Sequence, residues 1–261
     1  MPQSDPNQIR HHVRENYSKV SSCCAGSSSC CGGSSEDDII SISANLGYSE
    51  QDLSVVPQGA NLGLGCGNPQ AIAGLKPGET VLDLGCGGGF DCFLAARAVG
   101  EQGYVIGVDM TPEMLAKARQ NLAKTTFKHV DFRLGEIENL PVADGIVDVI
   151  ISNCVINLSP EKYKVFREAF RVLKCRGRLA ISDIVRTADL PPELQADLKL
   201  YSGCVSGASS ISKLTEMLSQ AGFQKIRITP KDESKGFIRD WFPGSKAEDF
   251  VQSAAIEAVK P

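Results

Sequence analysis

Short apolar runs alternate with amphipathic segments along the chain from residue 80 onward. Strand-like runs cover residues 80–84, 104–109, 130–134, 147–152 and 178–185. Helical patterns follow three of them, at residues 91–99, 112–124 and 161–174. Alternating strands and helices favour a parallel, doubly wound sheet with helices on both faces. The pattern therefore predicts an α/β fold.

The last part of the chain predicts additions to this sheet. Helical patterns lie near residues 192–201 and 211–221, and strand-like runs at 224–230 and 250–259. A loop rich in Gly and Pro, RDWFPGSK, lies between these two strands, which we expect to pair antiparallel at the sheet edge. The complete pattern predicts a mostly parallel, seven-stranded sheet.

The N-terminal part predicts one helix and an arm. Residues 5–20 form an amphipathic pattern with Asp5 as N-cap and Pro6 at the first helical position. We expect this helix to pack over a larger body. Residues 21–35 contain almost only Ser, Gly and Cys, which predicts a flexible Cys-rich arm unless its thiols bind a ligand. The chain thus divides into residues 1–45 (helix and arm), 46–190 (core of alternating strands and helices) and 191–261 (C-terminal helices and closing strands).

Composition narrows the class of protein. The 261 residues are 42% hydrophobic and carry a net charge of −4, which fits one enzyme-sized domain. Because Lys and Arg are scattered, we expect no nucleic acid partner. No apolar run approaches the roughly 18 residues that span a bilayer, and the N-terminus lacks a signal-peptide pattern. We therefore expect a cytoplasmic protein without a membrane partner.

Ten cysteines stand out in a chain expected in a reducing compartment, where metal binding or catalysis is more usual than disulfides. Cys86, Cys92 and Cys175 are interpreted as packing residues, between glycines, at the start of a helix and at the end of a helix. The other seven occupy positions suited to chemistry: Cys23, Cys24, Cys30, Cys31, Cys66, Cys154 and Cys204.

A glycine-rich turn after the first strand indicates a nucleoside site. Asp83 ends that strand, the spacing G-x-G-x-G follows, and Asp109 ends the second strand, where a carboxylate can accept hydrogen bonds from ribose hydroxyls. Phe90 occupies the position at which a dinucleotide fingerprint requires glycine. The spacing instead resembles the S-adenosylmethionine loop of class I methyltransferases. Asp91 is placed to reach the methionine end of such a cofactor, and Ile137 and Glu138 its adenine end.

Three cysteines are predicted to meet beside that site. Cys154 follows the fourth strand, Cys66 precedes the first strand, and Cys204 lies in the segment after the fifth strand. Ligands of doubly wound sheets bind at the carboxyl ends of the strands. Three thiolates there suit a soft element such as trivalent arsenic. Zinc is the competing ligand, but the three histidines of the chain lack ligand spacing.

Six segments together resemble the arsenite S-adenosylmethionine methyltransferase family over roughly residues 60–225: GLGCGNP, VLDLGCGGGFDCF, VIGVDMT, SNCVINL, VLKCRGRLAISDI and SGCVSGA. The resemblance implies a class I, Rossmann-like fold with a small arsenic-binding region. It implies that Cys66, Cys154 and Cys204 bind trivalent arsenic, with a further cysteine among Cys23, Cys24, Cys30 and Cys31. It also implies that Asp83, Gly85, Gly87, Asp109, Met110, Ile137 and Glu138 hold the cofactor. Repeated methylation and a thiol reductant such as thioredoxin or glutathione follow from the same likeness.

The expected reaction is in-line attack of the arsenic lone pair on the methyl group, which requires alignment and no general base. We expect Cys154 and Cys204 to form a fixed pair, with Cys66 recruited from a mobile N-terminal side. Two alternatives stay open at this point. One is a methyltransferase of quinone or sterol type in which Cys154 merely packs, and the other is a metalloid-binding protein without catalysis.

Overall fold

One mixed sheet forms the centre of the computed structural model, which describes residues 5–23 and 36–261. Its strands are β1 (Thr80–Leu84), β2 (Tyr104–Asp109), β3 (Val130–Leu134), β4 (Val147–Asn153), β5 (Leu173–Arg186), β6 (Ser209–Ser210), β7 (Gln224–Lys231) and β8 (Val251–Val259). The order across the sheet is β3-β2-β1-β4-β5-β8-β7, with β6 beside β5. The first five strands are parallel, whereas β8 is antiparallel to β5 and β7. The predicted α/β fold is confirmed. The sequence pattern did not predict the two-residue strand β6.

Helices cover both faces of the sheet. They are α1 (Pro6–Cys23), α2 (Glu36–Asn45), α3 (Glu50–Val55), α4 (Gln70–Ala73), α5 (Phe90–Val99), α6 (Pro112–Leu122), α7 (Lys162–Val172), α8 (Pro192–Ala196), α9 (Leu198–Ser202), α10 (Ile211–Ala221) and α11 (Ser234–Trp241). Short 3-10 helices lie at Ile156–Leu158 and Ala247–Asp249. Successive residues of β4 point to opposite faces: Ile150 belongs to the core cluster that contains Phe166 of α7, whereas Val149 and Ile151 belong to the cluster that contains Phe93 of α5.

The helix predicted over residues 5–20 is confirmed as α1. The Asp5 carboxylate accepts a hydrogen bond from the Asn7 N–H at 3.0 Å, and Val13 is fully buried against the body of the protein. The helix runs on to Cys23, so the first three residues of the predicted arm are helical. The rest of that arm, including Cys24, Cys30 and Cys31, lies outside the described residues.

Two predicted boundaries were wrong for local reasons. Strand β5 begins at Leu173 rather than at residue 178, so Cys175 is an exposed strand residue and does not end a helix. After Leu173 the strand continues with Lys174 and Arg176, and the pairing with β4 is irregular there, which removes the alternation that marks a strand. Part of RDWFPGSK belongs to α11, whose internal Gly236 weakens the helical pattern.

The C-terminal segment completes the same sheet. Strands β7 and β8 pair antiparallel as expected, but β8 lies inside the sheet, between β5 and β7, and α11 lies in the connection. The boundary at residue 190 therefore falls within one continuous sheet, and the three-part division stays a prediction. Among the described residues, none of the helices combines the length and apolar character needed to cross a bilayer.

Candidate active site

An open cleft lies at the carboxyl ends of β1, β2 and β4. It encloses about 1070 Å³, its open mouth included. The structure brings all of the predicted cofactor residues to its wall: Asp83, Gly85, Gly87, Asp91, Asp109, Met110, Ile137 and Glu138. Sequence spacing thus located one side of the site, because these residues lie at the end of β1, on the turn into α5 and its first turn, at the end of β2 or on the loop after β3.

The turn after β1 requires glycine. Gly85 and Gly87 have φ values of 71° and 51°, in the left-handed region that glycine adopts without strain. A Cβ on Gly85 would collide with the Val155 side chain, and one on Gly88 would lie 2.9 Å from the Ala60 carbonyl oxygen. These glycines line the cleft without side chains, so their backbone can approach a ligand closely.

Asp109 anchors that turn to the end of β2. One carboxylate oxygen accepts a hydrogen bond from the Gly87 N–H at 3.0 Å, and the other from the Thr111 N–H at 2.8 Å. Burial raises the pKa of Asp109, and the two backbone bonds oppose this by stabilising the charged form. Each oxygen keeps a lone pair, so the carboxylate can also accept hydroxyl groups of a ligand.

Two buried carboxylates form the far end of the cleft. Asp83 and Asp91 are 3% and 7% exposed. Burial and the neighbouring Asp91 charge raise the pKa of Asp83, and burial raises the pKa of Asp91 to about 6. The Tyr48 hydroxyl donates to Asp91 at 2.9 Å, and the Cys92 thiol donates to Asp83 at 3.2 Å. Two desolvated carboxylates favour a cationic group of the ligand at this end.

Sequence reasoning missed the role of α1 at the cleft. Arg10, Val13 and Tyr17 of this helix line it. Arg10 Nε donates to Glu138 Oε1 at 3.2 Å, and Arg10 Nη2 bonds to Glu161. The amphipathic pattern predicted that α1 packs on a larger body, but it did not identify the surface that the apolar face of α1 contacts. The position of α1 over the cleft therefore could not be predicted from the sequence.

The three candidate cysteines meet in one apolar cluster. Cys66 and Cys154 form a disulfide, with Cα atoms 5.8 Å apart, where free thiols were expected. The Cys204 thiol donates to the Cys154 carbonyl oxygen at 2.8 Å. Cys154 lines the cleft, whereas Cys66 and Cys204 are 1% and 2% exposed and lie behind its wall. Cys154 is therefore the point at which the sulfur cluster meets the cleft.

Cys154 and Cys204 share an unusual backbone conformation. Their φ values are 57° and 64°, a region that residues other than glycine seldom adopt. Such strain is held in place by surrounding contacts and is concentrated at functional sites. In the structure the Ser253 hydroxyl of β8 donates to the Cys66 carbonyl at 2.6 Å. That Cys66 is recruited from a mobile side stays a prediction.

Asp183 of β5 is a site residue that sequence reasoning missed. A carboxylate oxygen of Asp183 and the sulfurs of Cys66 and Cys154 all lie within 4.8 Å of one another. The Asp183 carboxylate accepts a hydrogen bond from Asn157 Nδ2 at 2.9 Å, and burial raises the pKa of Asp183 to about 6. Burial and the Asp183 charge also raise the pKa of the Cys204 thiol. The available signal was one acidic residue within the apolar run LAISDIV.

The remaining candidate ligands lie at the end of the described helix or beyond it. Cys23 is the last residue of α1. Cys24, Cys30 and Cys31 fall outside the described residues, so the choice of a further N-terminal ligand stays a prediction.

Comparisons with known proteins agree with this geometry. A family model described as a methyltransferase domain matches residues 75–222. An arsenite methyltransferase of Halobacterium salinarum is 52% identical over 98% of this chain and 68% of its own length. The human arsenite methyltransferase is 39% identical over 57% of this chain, which spans 42% of that protein. The crystal structure of an arsenic(III) S-adenosylmethionine methyltransferase from Chlamydomonas reinhardtii has a TM-score of 0.63 and 30% identity, covering 84% of this chain and 73% of that one.

Proposed function

The chain belongs to the arsenite methyltransferase family of S-adenosylmethionine-dependent enzymes, and from this premise we propose that it methylates trivalent arsenic bound by Cys66, Cys154 and Cys204. One observation carries the proposal. Cys154 lines the cleft and is bonded to Cys66, while the Cys204 thiol contacts its carbonyl. The sulfur cluster therefore borders the space that a methyl donor would occupy.

The residues of the cleft fit S-adenosylmethionine. Asp83 and Asp91 offer buried negative charge to the ammonium of its methionine part, and Asp109 offers acceptors to ribose hydroxyls. The turn at Gly85 and Gly87 leaves room for a close backbone approach. When bound, the cofactor would supply an activated methyl group for transfer to arsenic. The part of the protein is to hold the two reactants in line.

Arsenic binding consumes thiols and releases water. Arsenous acid exchanges each hydroxyl group for a cysteine sulfur, and the thiol proton leaves with the hydroxide as water. The disulfide between Cys66 and Cys154 must first accept two electrons and two protons. A cellular dithiol or glutathione supplies them and becomes a disulfide itself, which supports the proposed thiol reductant. A cytoplasmic location agrees with that requirement.

The deciding experiment combines the reduced protein with arsenite, S-adenosylmethionine and a dithiol, followed by separation of arsenic species. We expect methylated arsenic from the wild type and from Cys175→Ser, a matched control because Cys175 is exposed on β5. Cys154→Ser should form none. If the wild type bound the cofactor and left arsenite unmethylated, the proposal would be wrong.

A further inference from the structure

Asn153, the last residue of β4, holds the loop that carries Cys66. Its side-chain oxygen accepts a hydrogen bond from the Cys66 N–H at 2.9 Å, and its side-chain nitrogen donates to the Gly67 carbonyl at 2.7 Å. The backbone partners fix the orientation of this amide, because an N–H can only donate and a carbonyl can only accept. Asn153 therefore hydrogen-bonds to the loop on both sides of the Cys66 Cα atom.

A glycine in the loop allows Asn153 to approach this closely. Gly65 has a φ of 123°, and a Cβ there would lie 2.7 Å from the Asn153 side-chain nitrogen. A residue larger than glycine would push the loop away from β4. Since Asn153 precedes Cys154 directly, the same residue that holds the Cys66 loop also sits beside the second sulfur ligand.

Asn153 also reaches the carboxylate end of the cleft. Its side-chain nitrogen makes a second bond, to the Tyr48 hydroxyl oxygen at 3.1 Å. Tyr48 in turn donates its hydroxyl proton to the Asp91 carboxylate at 2.9 Å. Tyr48 is 4% exposed and Asp91 is 7% exposed, so water does not replace these bonds. A continuous chain of hydrogen bonds joins the Cys66 loop to the end of the cleft that favours a cation.

We infer that Asn153 is a positioning residue, which sets Cys66 against Cys154 and links the Cys66 loop through Tyr48 to occupancy of the cofactor cleft. The inference deepens the proposed function and rests on it, since Cys66 and Cys154 are arsenic ligands only there. In the reduced protein the disulfide no longer holds the two sulfurs together, and the amide then keeps them at ligand spacing. A filled carboxylate end holds Asp91 and Tyr48 in place and so stiffens the loop for arsenic.

The first test measures how readily Cys66 and Cys154 pair. The protein is equilibrated with reduced and oxidised dithiothreitol, whose cyclic disulfide accepts two electrons and two protons from the pair. Alkylation and peptide mass spectrometry then give the oxidised fraction of this pair among the other cysteines. Asn153→Asp keeps the side-chain shape but loses both donated bonds, so we expect the effective concentration of the two thiols to fall roughly tenfold. The exposed Asn139→Asp is the control and should match the wild type.

Arsenite binding to the reduced protein without cofactor should weaken by a similar factor in Asn153→Asp. Asn153→Ala, which adds no charge beside Asp91, should give the same direction and serves if the aspartate variant does not fold. An oxidised fraction and an arsenite Kd within twofold of the wild type in a folded Asn153 variant would overturn the positioning role.

The second test removes the hydroxyl of Tyr48 and leaves the Asn153 bonds to the Cys66 loop in place. Arsenite Kd is measured with and without S-adenosylhomocysteine, which occupies the cleft but carries no methyl group to transfer. In the wild type we expect S-adenosylhomocysteine to lower the Kd of arsenite at least fivefold. Arsenite should lower the Kd of S-adenosylhomocysteine by the same factor. Tyr48→Phe should lower this factor below twofold, and Tyr104→Phe, on an exposed ring, is its control. Coupling of wild-type size in Tyr48→Phe, or none in the wild type, would refute the link.

The two proposals fail in different ways. The redox measurement uses neither arsenic nor methyl transfer, so it reports on Asn153 even if arsenite is not the substrate. Conversely, a wild type that methylates arsenite while Asn153→Asp pairs its thiols normally would leave the proposed function intact and end this inference.

Discussion

Replacement of Asp109 by alanine tests the cofactor half of the site most directly. The Asp109 carboxylate accepts the Gly87 N–H at 3.0 Å and the Thr111 N–H at 2.8 Å, so it both shapes the glycine turn and offers acceptors to the ribose. Hydrogen bonds to a charged group contribute about 1.5–3 kcal/mol each. About 1.4 kcal/mol corresponds to a tenfold change in affinity. Loss of one such bond to a ribose hydroxyl should therefore raise the Kd of S-adenosylmethionine by about 10- to 100-fold.

The arsenic half of the site should not respond to this change, because Asp109 is not part of the cluster around the cysteines. We expect arsenite to bind reduced Asp109→Ala within twofold of the wild type. Calorimetry with each ligand separately provides the measurement, and Asp131→Ala on the neighbouring β3 is the control, since Asp131 pairs with Arg133 at the surface. An unchanged cofactor Kd in Asp109→Ala would show that the ribose does not lie at the end of β2.

Three further predictions address α1, pH and the division of work among the cysteines. Arg10→Ala removes the ion pairs that hold α1 over the cleft, so limited proteolysis should cut α1 faster and cofactor Kd should rise severalfold, whereas the exposed His11→Ala should change neither. Burial raises the pKa of Asp91 from 3.8 to about 6, so between these pH values the folded state binds more protons at this residue than the unfolded state does. The free energy of unfolding of the wild type, measured relative to Asp91→Asn, should therefore fall as the pH rises from 3.8 to about 6. The affinity for the cofactor should rise over the same range. A flat difference across that range would contradict the assigned burial. Methylarsenite keeps only two sites for sulfur, so Cys204→Ser should stop its methylation while Cys66→Ser largely spares it, as parallel turnover assays of both substrates can decide.

The parts of the site that the sequence predicted all depend on short-range patterns. The glycine spacing after β1 and the acidic end of β2 place Gly85, Gly87 and Asp109 because the strand, turn and helix are consecutive in the chain. Cys154 follows directly from the end of β4. These positions could be inferred because the carboxyl ends of parallel strands share one edge of the sheet.

The parts that were missed depend on contacts between distant residues. Tyr48 meets Asp91 across 43 positions, and Asn153 meets Tyr48 across 105. No periodicity connects such residues, so the hydrogen-bond chain became visible only in the fold. Asp183 was hidden for a different reason: it lies in a buried strand whose other residues are apolar, and one carboxylate does not disturb that pattern enough to identify a site.

The electrostatics of the sulfur cluster bear on the choice between arsenic and zinc. Burial and the adjacent Asp183 charge raise the pKa of Cys204, so its thiol is neutral at neutral pH. Zinc requires thiolates, and forming them here would add negative charge to a buried site that already contains a carboxylate. Arsenous acid is neutral and exchanges hydroxide for sulfur with release of water, so the cluster gains no net charge. A buried Cys204 thiol that keeps its proton beside the Asp183 carboxylate therefore suits a neutral thiophilic substrate better than a divalent cation.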